Sequence, residues 1–405
     1  MPDYIYKTID PSTGKQVSVN ISANNQNEAT NLVLERGLQP IQAKQKRANL
    51  LGGLTGRIKR RDKILFTNQL STLISAGLPL LQSLQQTSLQ MKNKNLKRII
   101  DDIVSSIESG SAFSDALAEY PKYFDQIYIN LVKAGEASGT LDTSLERLAI
   151  QQEKDGDLVS KIKGALIYPI IVVFVIIGVV SFMLIFVLPQ VVVFYEQFDK
   201  PLPWITRVLI AVSDSLVDYY YVYILVALGT VIALNRALKT PKGKSFADHS
   251  KLKFPAVKSL MSKVYMARFT RTVGTLFASG VNLLETLAII AKGINNMHLE
   301  AAINRSSSLV REGKSLSSSL ENEPLFLDLV PSMISIGEQS GRTEEMLLKA
   351  AVYYEKEVDK QIKALTTTME PVLILTVGGI AIVIILAILL PVYSLIQDNP
   401  SFGAG

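Results

Sequence analysis

The chain has 405 residues, 48% of them aliphatic or aromatic and 19% charged, with a formal net charge of +6 and no cysteine. That length accommodates two or three domains, and the missing cysteines exclude disulfides and thiolate metal sites. The positive charge is explained by the basic flanks of three apolar runs and by one basic linker, so nucleic acid is not required as a partner.

In chain order, "YIYKTIDPSTGKQVSVNISA" reads as two short strands around a Pro-Ser-Thr-Gly turn. "NQNEATNLVLERGLQPIQ" follows as a short helix stopped by Gly37, then an extended piece through Pro40. Residues 1–43 are expected to form a small α+β domain. The N-terminus has no apolar signal core, so it is expected to stay in the compartment of synthesis. Residues 44–61 form a polar linker carrying Lys44, Lys46, Arg47, Arg57, Lys59, Arg60 and Arg61. It reads either as a tether or as a contact with an acidic membrane surface or partner, because clustered cations near a bilayer contribute about 1 kcal/mol each. Arg57, Lys59, Arg60 and Arg61 are the candidate contacts.

Residues 62–163 show helical periodicity: Phe66, Leu70, Leu73, Ile74 and Leu78 share one face, and Leu96, Ile99, Ile100, Ile103, Val104 and Ile107 share another. Gly77, Pro79 and Gly110 punctuate these helices, with Pro79 expected in the first turn of the second. Further helices are expected around 124–137 and 140–163, giving antiparallel pairs with short turns. A charge-free run from Gly164 to Tyr195 then holds the first candidate membrane span, 166–190. Residues 191–217 form a connection containing more acidic than basic residues, 218–237 a second span fronted by tyrosines, and 238–262 a basic connection. A second helical block covers 263–367, a third span covers 370–396 within a charge-free run from Pro371 to Gln397, and 397–405 form a tail.

The second block repeats the first. At an offset of 203, "FTNQLSTLISAGLPLLQSL" falls on "FTRTVGTLFASGVNLLETL", with Asn282 in place of Pro79. At an offset of 202, Gly135, Glu136, Ser138 and Gly139 fall on Gly337, Glu338, Ser340 and Gly341, Pro169 on Pro371, and Leu188-Pro189 on Leu390-Pro391. Two copies of a module-plus-span unit in one orientation need a return crossing, which 218–237 supplies. The basic flanks of all three spans fall on one side, taken as cytoplasmic. This puts the N-terminus inside and the C-terminus outside. The expected class is an all-α membrane protein with two repeated helical-bundle domains, three membrane helices and the small N-terminal α+β segment.

The doubled Gly-Glu-x-Ser-Gly lies between two helices in each copy. Gly139 and Gly341 suit a left-handed turn, and Asp142, Glu344 and Glu345 suit the helix start that follows. A turn does not need a glutamate there, so Glu136 and Glu338 are candidates for holding a backbone amide, a basic group of a partner, or a cation. No catalytic constellation is found. Gly243-Lys244-Ser245 and Gly313-Lys314-Ser315 lack the upstream glycine of a phosphate loop. His249 and His298 are far apart in sequence and lack metal-ligand spacing. The spans carry no ionisable residue inside, only the hydroxyls Ser181, Thr230 and Thr376, which speaks against an ion-coupled transporter.

The "Y-x-Y-K-x-x-D" start, the Ala29, Leu32, Gly37, Leu38, Pro40 series, "FTNQLSTLISAGLPL", the doubled motif and the Pro-flanked spans together resemble the inner-membrane platform family of type IV pili and type II secretion, called PilC and GspF respectively. The resemblance implies a non-enzymatic, cofactor-free scaffold that oligomerises in the bacterial cytoplasmic membrane. Its implied partners are a hexameric cytoplasmic ATPase, pilin or pseudopilin subunits, other inner-membrane components and lipid. Pro169 and Pro371 are expected to mark membrane entry, each span following its module after a short connection.

Overall fold

The computed structural model describes residues 3–9, 16–22, 39–45, 58–196 and 204–398. The chain divides into two compact units, residues 1–59 with 91–98, and the remainder. In the first, β1 (Asp3–Ile9) is the centre of an antiparallel sheet of order β2-β1-β3, with β2 (Gln16–Ser22) and β3 (Gln39–Gln45) at its edges. The helix expected before Gly37 lies outside the described residues, as do the turn between β1 and β2 and most of the linker, Arg57 included.

The remaining described residues are largely helical. The first repeat comprises α1 (Arg60–Ser75), α2 (Leu80–Gln90), α3 (Lys94–Glu108), α4 (Phe113–Ala118), α5 (Gln126–Ser138) and the long α6 (Leu141–Phe182). A π-helical turn at Met183–Val187 continues α6 into α7 (Leu188–Glu196). Next come α8 (Trp204–Asp218), α9 (Tyr220–Ala237) and α10 (Pro241–Lys253). The second repeat is α11 (Pro255–Ala278), α12 (Leu283–Gly293), α13 (Met297–Arg311), α14 (Leu316–Glu321), α15 (Leu329–Ser340) and α16 (Thr343–Asp398).

The repeat is exact at the level of backbone conformation. Glycines with positive φ come as three equivalent pairs, Gly77 and Gly280 (86° and 80°), Gly110 and Gly313 (97° and 94°), Gly139 and Gly341 (70° each). Each closes a helix with a left-handed residue, a conformation that is costly for a side chain with a Cβ. Asn282 caps α12 by accepting the Glu285 N–H at 2.9 Å, which explains why it can stand where the first copy has Pro79. Pro79 itself immediately precedes α2, one position earlier than expected. Each core carries an equivalent aromatic pair: Phe66 and Phe124, with centroids 6.0 Å apart, and Phe269 and Phe326, 4.9 Å apart. All four rings are buried, and burying each side chain stabilises by about 1.5–3 kcal/mol.

Among the described residues, three helices are long and apolar enough to cross a membrane, and lie within Leu141–Gln190, Tyr220–Ala237 and Thr343–Leu389. No short connection joins either module to its span. α6 and α16, of 42 and 56 residues, run without interruption from module into span. At about 1.5 Å per residue each far exceeds a hydrocarbon core of about 30 Å. Pro169 and Pro371 therefore lie inside continuous helices and mark no break. The segments read as connections are also largely helical, as α8, α10 and the start of α11.

α8 shows what the doubled Leu-Pro does. Proline has no N–H, so Pro189 leaves a carbonyl one turn earlier without its donor, and the wider π turn accommodates the ring. In a π turn the orphaned acceptor is Leu184, five residues back, and its oxygen accepts the Ser213 hydroxyl at 2.7 Å. In α16, Pro391 orphans the oxygen of Ala387, four residues back, which accepts the Thr206 hydroxyl at 3.1 Å. Thr206 and Ser213 are both buried and lie seven residues apart on one face of α8, so a single helix braces both outer span ends. The double variant Thr206→Val, Ser213→Ala is expected to destabilise the folded chain by about 1–3 kcal/mol. Hydrogen exchange in detergent checks this as faster exchange near 184 and 387, and unchanged exchange there would count against the brace.

Candidate functional site

The joint between module and span helix is built by the doubled motif, and each of its four residues has a separate job. Gly135 lets α6 fold back closely, because a Cβ there would sit 2.6 Å from the Ser144 hydroxyl. At Gly337 the Cβ would meet the Thr343 Cα at 2.6 Å. Glu136 reaches across to α4, where its two carboxylate oxygens accept the N–H groups of Phe113 and Ser114 at 2.7 and 2.8 Å. Glu338 accepts the Leu316 N–H at 2.8 Å and the Ser317 hydroxyl at 2.5 Å. A helix start leaves its first N–H groups unpaired and carries partial positive charge, so a carboxylate satisfies both needs. Ser138 and Ser340 each donate to a carbonyl four residues back at 2.7 Å. Gly139 and Gly341 complete the cap, with the N–H groups of Thr140 and Arg342 donating to the Gly135 and Gly337 carbonyls at 2.9 Å. Of the three partners weighed for the glutamates, the backbone amide is the one in place. Among the described residues no group of three or more His, Cys, Asp or Glu is arranged to hold a metal ion.

A second layer of polar contacts joins the first helix of each repeat to its span helix. Arg60 meets Asp155 at 2.6 Å, and the equivalent Lys263 meets Glu357 at 3.1 Å. Arg60, grouped above with the linker contacts, is thus the first residue of α1 and ion-paired; Arg61 is exposed in the same turn. Hydrogen bonds from Lys360 and Lys263 hold the Glu357 carboxyl below the usual carboxylate range. Burial lowers the Lys63 ammonium, which donates to the Tyr123 carbonyl at 2.8 Å, and burial raises the Tyr128 phenol, whose hydroxyl lies 3.2 Å from that of Thr67.

α6 also carries the seam between repeats. Arg147 donates to the Ala278 carbonyl, Gln151 to the Thr272 hydroxyl at 2.8 Å, and Asp155 forms an ion pair with Arg268 at 2.7 Å while holding Arg60. Nearer the membrane, Lys161 pairs with Asp359 of α16 at 2.8 Å. Residues 147, 151 and 155 step by four along one helical face. A cavity of about 220 Å³ lies on this seam, lined by residues of both copies, among them Asp155, Arg268 and Gly293. Sequence reading missed this stripe because the partners of Arg147, Gln151 and Asp155 on α11 lie more than a hundred residues away in the chain. The histidine pair was missed too: α10 packs near α13 and brings the rings of His249 and His298 to 5.3 Å.

These features define a class: a membrane protein in which two repeated helical modules, packed against each other, each continue into a spanning helix. The family described as type II secretion system (T2SS), protein F matches residues 66–189 and 269–391, one match per repeat. The chain belongs to this family. It is 38% identical over 373 residues to the type IV pilus assembly protein PilC of Myxococcus xanthus, covering 91% of this chain and 89% of the relative. It is 36% identical over 402 residues to the PilC of Thermus thermophilus, covering 98% of each. It is also 33% identical over 403 residues to the type II secretion system protein F of Pseudomonas aeruginosa, covering 98% of this chain and 99% of the relative.

Two substitutions separate the jobs within the joint. Alanine in place of helical glycine ordinarily stabilises by about 0.5–1 kcal/mol. Gly164→Ala, with open space around the position, is expected to follow that rule. Gly337→Ala is expected to cost about 1–3 kcal/mol, because the Thr343 backbone must move. Unfolding in detergent with urea checks the opposite signs. Glu136→Ala is expected to cost about 1–2 kcal/mol and to speed amide exchange across 113–118, with Glu136→Gln intermediate.

Proposed function

We propose that this chain is the inner-membrane platform of a type IV pilus machine, coupling a cytoplasmic hexameric ATPase to the insertion or removal of pilin subunits. The observation that carries the reading is the uninterrupted helix running from each module into a span, locked at its module end by a carboxylate joint. A motor that turns or tilts the module moves the span as one body, which is the rigid-body form of transmission. The chain works as a scaffold and has no enzymatic role of its own. It sits in the bacterial cytoplasmic membrane with the small α+β segment of residues 1–43 and both modules cytoplasmic and the C-terminus outside. The seam between repeats supports one side for both modules, since surfaces in contact cannot be separated by a bilayer. The modules hold the ATPase, the spans meet the pilins, and copies of the chain associate within the larger machine.

The second reading is a platform that moves pseudopilins for protein export, favoured by the 33% identity to a type II secretion protein F over nearly the whole chain. A repeat-built transporter is less well supported. Two of the span hydroxyls, Thr230 and Thr376, donate their one proton to their own helices at 2.7 and 2.8 Å, which leaves neither with a donor to offer a polar path.

Glu136→Lys with Glu338→Lys should abolish surface pili while the protein still fractionates with the membrane, and Glu136→Gln with Glu338→Gln should leave part of the piliation. Counting pili in a strain carrying each variant checks this, and full piliation in the Lys double variant would remove the joints from the mechanism. Loss of an exported protein with intact pili would instead select the secretion reading.

A further inference from the structure

The helix α10 follows the second span almost without interval, and its position is fixed at both ends. A Cβ on Gly243 would lie 2.0 Å from the Ala237 carbonyl oxygen, so the first turn of α10 presses on the end of α9. Thr240 locks the corner by donating to the Ala237 carbonyl at 2.6 Å and accepting the Gly243 N–H at 3.1 Å. α10 therefore begins directly where the second candidate span ends. At its other side, Asp248 is buried and accepts the Met297 N–H of α13 at 3.2 Å. His298 Nε2 lies 3.3 Å from the Ser245 carbonyl, beside the ring of His249.

These contacts leave an open pocket of about 520 Å³ lined by Pro241, Lys242, Ser245, Phe246, His249 and His298. The α10 side of the pocket is strongly basic. From Arg236 to Lys253 six Lys and Arg residues accompany a single acid, Asp248, which is turned away into the α13 amide. Phe246 is 75% exposed beside these cations.

We propose that this pocket binds the phosphate headgroup of an anionic phospholipid from the leaflet on the module side. Charge complementarity selects the phosphate, for which Lys242 and His249 supply donors, the His298 Nε2 hydrogen being directed to the Ser245 carbonyl. The continuity of α10 with the second span selects a lipid, which is present there at high local concentration, over a free anion. Phe246 then has a role that a soluble phosphate would not give it, as the apolar contact for the glycerol and the first methylenes. A zwitterionic headgroup brings its own cation to the cluster and binds less well.

The test is native mass spectrometry of the full chain in detergent, counting retained dioleoyl phosphatidylglycerol against dioleoyl phosphatidylcholine. The native chain should retain the anionic lipid preferentially. Lys242→Gln with His249→Gln should lower that retention at least about fivefold. Phe246→Ser, an exposed change that disturbs no contact described above, should also lower it, while Lys314→Gln, removing one exposed charge from the second module, should leave it unchanged. Equal retention of both lipids, retention unaffected by the pocket variants, or displacement of the glycerolipid by millimolar inorganic phosphate would each overturn the proposal.

Discussion

A carboxylate that spans two helices sets the geometry of each half of this molecule. The N-terminal amides of α4 and α14 need acceptors, and those helices have only six residues each, too few to persist without tertiary support. By supplying the acceptor from α5 or α15, Glu136 and Glu338 tie the short helix to the one that enters the joint. The first glycine of the motif then removes the side chain that would hold the span helix away, and the last glycine turns the chain. With the joint closed, the direction of α6 and α16 is set at their module ends, and the Arg60–Asp155 and Lys263–Glu357 pairs hold the same direction about four turns into each helix.

The outer ends of the spans are governed by the same need to pair backbone groups. Within lipid an unpaired carbonyl is expensive, and each Leu-Pro creates one. α8 supplies both donors and so links the two repeats at the far side of the membrane, as the Arg147, Gln151 and Asp155 stripe links them on the module side. The unit is thus fastened at two levels, with apolar spans between. The second span is different: its side chains are exposed throughout within this chain, leaving its apolar surface to lipid or to another helix.

Much of this was legible in the sequence. The duplication, the three apolar runs and the basic flanks located the modules and spans, and the pairing of Gly139 with Gly341 identified the left-handed turns. What stayed hidden was set by contacts between distant segments. Nothing local to Glu136 says that its acceptors meet α4, more than twenty residues back, and a proline in an apolar run reads equally as a break or as a tolerated interior residue. Pro169 and Pro371, read as marking membrane entry, lie inside continuous helices. His249 and His298 were separated by sequence distance, yet the corner at Gly243 folds α10 back and brings them together. Asp155 carries no local signal of its role, because its partners Arg60 and Arg268 come from α1 and α11.

The central claim, that a carboxylate joint makes each module and its span helix one rigid body, can be measured directly, since the chain has no native cysteine. Spin labels at Ser109→Cys, just past the end of α3, and Lys163→Cys on α6 report the distance across the first joint by pulsed electron resonance in bilayers. The account predicts one narrow distance distribution in the native background and a broad or shifted one when Glu136→Ala is added. A distribution equally narrow and unmoved in both would contradict it.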